Sequence, residues 1–259
     1  MKKIMVIGTA ENLEKVKHNF EAVETDFVVY SDGKTAEEVV TKDLTNLVVY
    51  LNAGHGDFAN GQNQTFKSDG KEYHFTEGNN VVFSAYEGQT NRIFANKIKE
   101  QLEKRGAEVV LTHLPILDLH NFQRIQIANT HFQKASKAGK KFIWFSLHSN
   151  ALSLANRGAG TSANGIEVFT SNNASQNSVS FANQFMQSIR PIFDKYKVAN
   201  RGHKKAEFTE LVGTQMPAIL IENLFFDNLR EAKLLINETY QDDFCEACMS
   251  CFTWYSKQK

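Results

Sequence analysis

The chain has no net charge, few cysteines and no long apolar run. Twenty-nine acidic residues balance 29 basic ones, so no basic field draws nucleic acid or an anionic membrane, and a partner is read by a pocket instead. The three cysteines, Cys245, Cys248 and Cys251, share one C-terminal segment of helical pattern. With no fourth ligand nearby they read as small buried apolar residues rather than a zinc knuckle, and they imply no disulfide framework. No run approaches the roughly 20 apolar residues that a membrane crossing needs. Met1-Lys2-Lys3-Ile4-Met5-Val6-Ile7-Gly8 opens like a secretion signal, but Thr9-Ala10-Glu11-Asn12 ends the apolar run at once. The segment reads as a strand, and the expectation is a soluble protein made in the cytoplasm without a signal peptide. Internal repeats, low-complexity tracts and a Pro/Gly linker are also missing.

What is present suffices for a fold. Of 259 residues, 42% are hydrophobic, enough for one large core or a core with a small appendage. Strand-like runs recur at Ile4 to Gly8, Phe27 to Tyr30, Leu47 to Asn52, Glu108 to Thr112, Phe142 to Leu147, Ile166 to Thr170 and Ala218 to Glu222. Helix-period segments alternate with them at Gly88 to Arg105, Asn121 to Ala138, Ser175 to Tyr196 and Leu229 to Tyr255. The pattern predicts an α/β fold, a twisted, mostly parallel sheet with helices on both faces. In the first of these helices Ile93, Ala95, Ile98 and Leu102 form the expected apolar stripe, and Gly106 is its stop. Residues 1–46 read as an N-terminal extension or small α/β lobe, and residues 47–259 as the main domain. Between Asp57 and Tyr86 a stretch rich in Gly, Asn and aromatic residues predicts a hairpin-like insertion, with Ser68-Asp69-Gly70 turning between Gln64-Thr65-Phe66 and Tyr73-His74-Phe75.

Two histidines stand at the polar ends of buried strands. His55 closes Leu47-Val48-Val49-Tyr50-Leu51-Asn52-Ala53-Gly54, and His148 closes Phe142-Ile143-Trp144-Phe145-Ser146-Leu147. Ligands of α/β sheets gather at strand carboxyl ends. Two imidazoles and a carboxylate are the usual protein ligands of a catalytic zinc. A lone histidine in an apolar strand is more often a hydrogen-bonded core residue, so spacing alone leaves both readings open. Gly54 and Gly56 flank His55, which predicts a bend that turns the imidazole into a cleft. Glu87 precedes a helix, where an acidic residue also serves simply to stabilise the first turn. Glu222 ends Pro217-Ala218-Ile219-Leu220-Ile221; a carboxylate there is costly unless solvated, paired or functional, and beside a metal it suits a general base. Arg201 offers a planar fork for orienting that base or a substrate carboxylate, and equally for a surface salt bridge.

Several blocks in order resemble the zinc-dependent N-acetylmuramoyl-L-alanine amidases. They are Asn52-Ala53-Gly54-His55-Gly56, Glu87 with Ala95, Leu102 and Gly106, Arg124 with Ala128-Asn129, Ser146-Leu147-His148-Ser149-Asn150, Gly165-Ile166-Glu167, Asn200-Arg201-Gly202 and Pro217 to Glu222. The likeness runs from about residue 47 to 255. It implies an amidase/phosphorylase-like fold, zinc on His55, Glu87 and His148, and Glu222 as the catalytic carboxylate. Glu77 and His74, inside the insertion, are competing ligands, but Glu87 has the family's helix behind it. The sequence departs from the family where Asn52-Ala53 replaces the frequent Asp-Pro and where Thr112-His113 replaces Thr-Arg.

The resemblance implies hydrolysis of the amide joining N-acetylmuramic acid to L-alanine in peptidoglycan. With no signal segment read at the start, it also points to a phage or prophage endolysin that acts on the cell wall after release. The rival readings are a zinc peptidase cutting within the stem peptide and an inactive wall-binding or regulatory homologue.

Overall fold

Each run read as a strand forms one. The computed structural model describes residues 4–7, 27–30, 42–56, 71–135, 139–153 and 155–258. The chain divides into two units, residues 1–42 and 43–259. In the first, β1 (Ile4–Ile7) pairs in parallel with β2 (Phe27–Tyr30). The rest of this unit up to residue 41 lies outside the described residues.

The second unit is built on six strands. They are β3 (Leu47–Ala53), β6 (Glu108–Leu111), β7 (Lys141–Asn150), β9 (Ile166–Thr170), β10 (Asn200–Lys205) and β11 (Ala218–Phe225), in the order β10-β9-β11-β7-β3-β6. β6, β3, β7 and β11 run parallel. β9 is antiparallel to β11, and β10 is parallel to β9. The sheet is therefore mostly parallel, and the register sets Glu222 beside His148 on neighbouring strands.

Period-two alternation divides the strand residues between two apolar layers. Val49, Leu51, Ile143, Phe145, Ile219 and Ile221 face one layer, with α1 (Glu87–Lys104), α3 (Gln176–Ser188) and α7 (Glu238–Ser256) packed there through Phe94, Phe181, Phe185, Phe244 and Phe252. Val48, Tyr50, Trp144 and Leu220 face the other, under Ala128 of α2 (Asn121–Ala135) and Leu211 of α5 (Thr209–Gly213). Burial on both faces is why the strands read as near-continuous apolar runs. The three cysteines are free and buried on α7. Among the described residues no helix is long and apolar enough to cross a membrane.

Details differ from expectation for local reasons. The stripe of α1 passes through Phe94, Ala95, Ile98 and Leu102, while Ile93 is only half-buried. The segment read as one helix from Ser175 breaks at Ile189, where α4 (Arg190–Tyr196) starts with Pro191 in its first turn; proline has no N–H to continue the helical hydrogen bonds and is tolerated only at a helix start. The C-terminal segment breaks likewise between α6 (Leu229–Leu235) and α7, because the Asn237 side chain accepts the Tyr240 backbone N–H and starts a new helix. In the insertion, β4 (Glu72–Glu77) pairs with β5 (Asn80–Tyr86) through a turn at Gly78-Asn79. β8 (Arg157–Gly158) extends this small sheet on the other side of β4. The expected turn at Ser68-Asp69-Gly70 lies outside the described residues.

Candidate metal centre

Three backbone devices bring the site together. β3 ends at Ala53, and His55 itself takes a left-handed φ of 61°. Gly54 and Gly56 are not the bending residues; they are there for closeness. A Cβ on Gly54 would lie 2.1 Å from Cε1 of His148, so the His148 ring packs directly on the backbone. A Cβ on Gly88 would fall 1.8 Å from the Gly56 carbonyl oxygen, which is how α1 approaches near enough for Glu87, its first residue, to enter the cluster.

His55, Glu87 and His148 form the one metal-competent group of three among the described residues, with their donor atoms within 4.8 Å of one another. Glu87 Oε1 is 3.0 Å from Nδ1 of His148 and 3.4 Å from Nε2 of His55. The same oxygen accepts the Ser149 N–H at 3.3 Å and Asn91 Nδ2 at 3.4 Å. Asn91, one turn along α1, also donates to the Gly54 carbonyl, tying helix to loop.

The electrostatics suit a cation. Burial opposes charge on Glu87, yet His55, His148 and Lys71 hold its carboxyl down to about 2. Burial drives His55 to about 4, helped by His148 and Lys71, so its lone pair is free at neutral pH. Burial also works against a charged His148, but hydrogen bonds to Glu210 and Glu87 raise it well above the ordinary range. A positive charge is thus already favoured between the two carboxylates, and a divalent ion fits the donor set in place of that proton.

Glu222 lies next to this group on β11. Its Oε2 is buried with no hydrogen-bond partner, and burial pushes its carboxyl up to about 8. A carboxylate with such proton affinity suits a general base. Arg201 is placed otherwise than for direct orientation of Glu222. Its Nε meets Glu167 Oε2 at 3.2 Å, and its guanidinium lies 4.9 Å from the Phe225 ring centroid. Glu167 also takes Lys204 and Asn150, and its own strand neighbour is Glu222. Of the competing ligands, His74 bonds Ser84 at 2.8 Å within the hairpin, and Glu77 is exposed beside its turn.

Beneath the site runs a buried polar network. Arg124, 1% exposed, donates to the carbonyls of Leu119, Ala53 and His55, to Asn52 Oδ1 and to Asp118, so it holds the whole His55 loop. His113 Nδ1 accepts the Ala53 N–H, filling the place where the resemblance has arginine. Glu210 on α5 reaches Ser146, Asn52 and His148. Glu210 escapes a reading of the sequence: its helix is five residues long, too short for any apolar period, and only tertiary contact reveals it.

Gly54→Ala is expected to lower the affinity of this donor group for a divalent ion at least about tenfold, because the His148 ring is held at both nitrogens and cannot step aside freely. Calorimetric titration of the metal-free variant measures this. Wild-type affinity would show that the ring has another place to go.

The sequence matches the family described as N-acetylmuramoyl-L-alanine amidase (Amidase_3) over residues 49–251. The fold is similar to the crystal structure of N-acetylmuramoyl-L-alanine amidase from Clostridium difficile 630, with TM-score 0.63 and 26% identity over 83% of this chain and 99% of that one. It also resembles the catalytic domain of CwlV, an N-acetylmuramoyl-L-alanine amidase from Bacillus (Paenibacillus) polymyxa var. colistinus, with TM-score 0.59 and 24% identity over 82% and 99% of the two chains. An endolysin of Bacillus phage SPP1 is 46% identical over 52 residues, which span 20% of this chain and only 19% of the endolysin. With a family match over residues 49–251, most of its length, and a fold similar to that of a solved member, the chain belongs to the Amidase_3 family of N-acetylmuramoyl-L-alanine amidases.

Proposed function

We propose that this protein hydrolyses the amide between N-acetylmuramic acid and L-alanine in peptidoglycan, with zinc held by His55, Glu87 and His148. The observation that carries the reading is the convergence of these donors beside Glu222 in a chain of this family. Zinc there would polarise the scissile carbonyl and lower the pKa of a water. Glu222, with a free buried oxygen, takes the proton of the attacking water and passes it to the departing alanine nitrogen. The C–N bond breaks, the carbonyl carbon keeps the water's oxygen, and the amine leaves neutral. Arg201 and Lys204, both on β10, pair with Glu167 of the neighbouring β9. They present positive charge suited to a carboxylate of the stem peptide.

The partial identity with a phage endolysin supports action on the cell wall as a lysin. The hairpin of β4 and β5 leads straight into Glu87, which suits it to contact sugar or peptide beside the site.

Mass analysis of products from purified cell walls tests the activity. Intact stem peptides with a free alanine amine are expected, and a chelator should stop their release. Shortened peptides left attached to glycan would replace this reading with a peptidase.

A further inference from the structure

The hydrogen-bond directions beneath the site can be followed from one end to the other. Arginine only donates. Arg124 Nη1 lies 2.6 Å from Asn52 Oδ1, so that atom is the acceptor and the Asn52 amide nitrogen faces the other way. Nδ2 then donates to Ser146 Oγ at 3.0 Å and Glu210 Oε2 at 3.1 Å. Ser146 Oγ, already accepting, directs its single hydrogen to Glu210 Oε2 at 2.5 Å. Two donors thus occupy Oε2. Oε1 of Glu210 is left facing Nε2 of His148 at 3.4 Å, and an ionised carboxylate there can only accept. The ring's other nitrogen, Nδ1, is the one turned toward Glu87 Oε1.

We propose that Glu210 is a positioning residue for His148: it holds the Nε2–H of the ring, so that the Nδ1 lone pair is presented to the metal alongside His55 and Glu87. The proposal rests on the metal reading above. It extends that reading by making the tautomer of one ligand depend on a buried chain that begins at Arg124. Glu210 is buried with a relative exposure of 3%, and its contacts with Ser146 and Asn52 leave its carboxylate no freedom to turn away. Partners of this kind fix ring orientation and raise the basicity of a metal-bound imidazole.

Two measurements test it. In zinc-loaded wild type with 15N-labelled histidine, the His148 signals should show the proton on Nε2 and the metal on Nδ1. Metal on Nε2 overturns the proposal, and no variant is needed. In parallel, Glu210→Gln keeps the size of the side chain but weakens the acceptor, and should raise the zinc Kd roughly 10- to 100-fold. The visible spectrum of the cobalt-substituted protein should shift with it. Melting of the metal-free variant establishes that it is folded, and Ser146→Ala, which loosens Glu210 without removing it, should fall between. A zinc Kd for Glu210→Gln within twofold of wild type overturns the proposal. Wild type that binds no zinc would overturn the metal reading and this one with it, whereas equal binding by both proteins overturns this one alone.

Discussion

Glu222→Gln is expected to lower kcat at least about 100-fold while the protein keeps about one zinc per chain. The amide preserves the size of the side chain, and Glu222 stands outside the three-donor group, so the ligands lose nothing. What disappears is the proton acceptor. Its Oε2 makes no hydrogen bond in the fold, so few structural contacts are removed with it. Glu87→Gln should behave differently. Glu87 is 2% exposed and faces both histidines, and a neutral amide oxygen is a poorer donor to a cation. Zinc affinity should fall together with the rate. Zinc stoichiometry beside kcat for the two variants separates holding the metal from using it. An active Glu222→Gln that retains its zinc would mean another group moves the proton.

How much of this was legible in the sequence follows from the kind of residue involved. β3, β7 and β11 are buried on both faces, so each announces itself as an apolar run, and the residues at their ends follow. β10 carries no apolar strand signal. Its sequence Asn200–Lys205 is polar and at most half-buried, because it lies at the sheet edge, where charged side chains are favoured. β5 is exposed over its first half for a similar reason. Helix period located the long helices but not their breaks, since a single proline or capping asparagine scarcely disturbs an apolar stripe.

The site shows the same division. His55, Glu87, His148 and Glu222 stand out because polar groups interrupt or end regular elements. The glycines were visible, but their reason was not: Gly54 and Gly88 serve contacts with residues far along the chain, and such contacts have no local signature. Asn52 and Glu210 belong to this hidden class. The resemblance favours aspartate where Asn52 stands, and the fold supplies a carboxylate from α5 close to that place.

Removing either histidine should abolish zinc binding and activity, yet the two losses should differ in the metal-free protein. His55 is 23% exposed, and burial keeps it uncharged at neutral pH, so His55→Ala takes no positive charge from Glu87 there, and Glu87 keeps His148 and Lys71. His148 is the cation shared by Glu87 at 3.0 Å and Glu210 at 3.4 Å, both carboxylates almost fully buried. His148→Ala leaves the two facing one another across a cavity. Breaking a buried ion pair by removing one partner costs about 3–5 kcal/mol. In a domain of this size that corresponds to a fall in melting temperature of about 6 °C or more. Part of the loss should be recovered at acid pH. Glu87 has a folded pKa near 2, below its unfolded value, so in wild type its contribution is present above about pH 4.5 and fades only as pH falls toward 2. Without His148 its carboxyl protonates at higher pH, and the two proteins should converge in stability on acidification. Metal-free melting curves of wild type, His55→Ala and His148→Ala across that range make the comparison. If His148→Ala melts with wild type at neutral pH, the imidazolium is not what holds the two carboxylates in place.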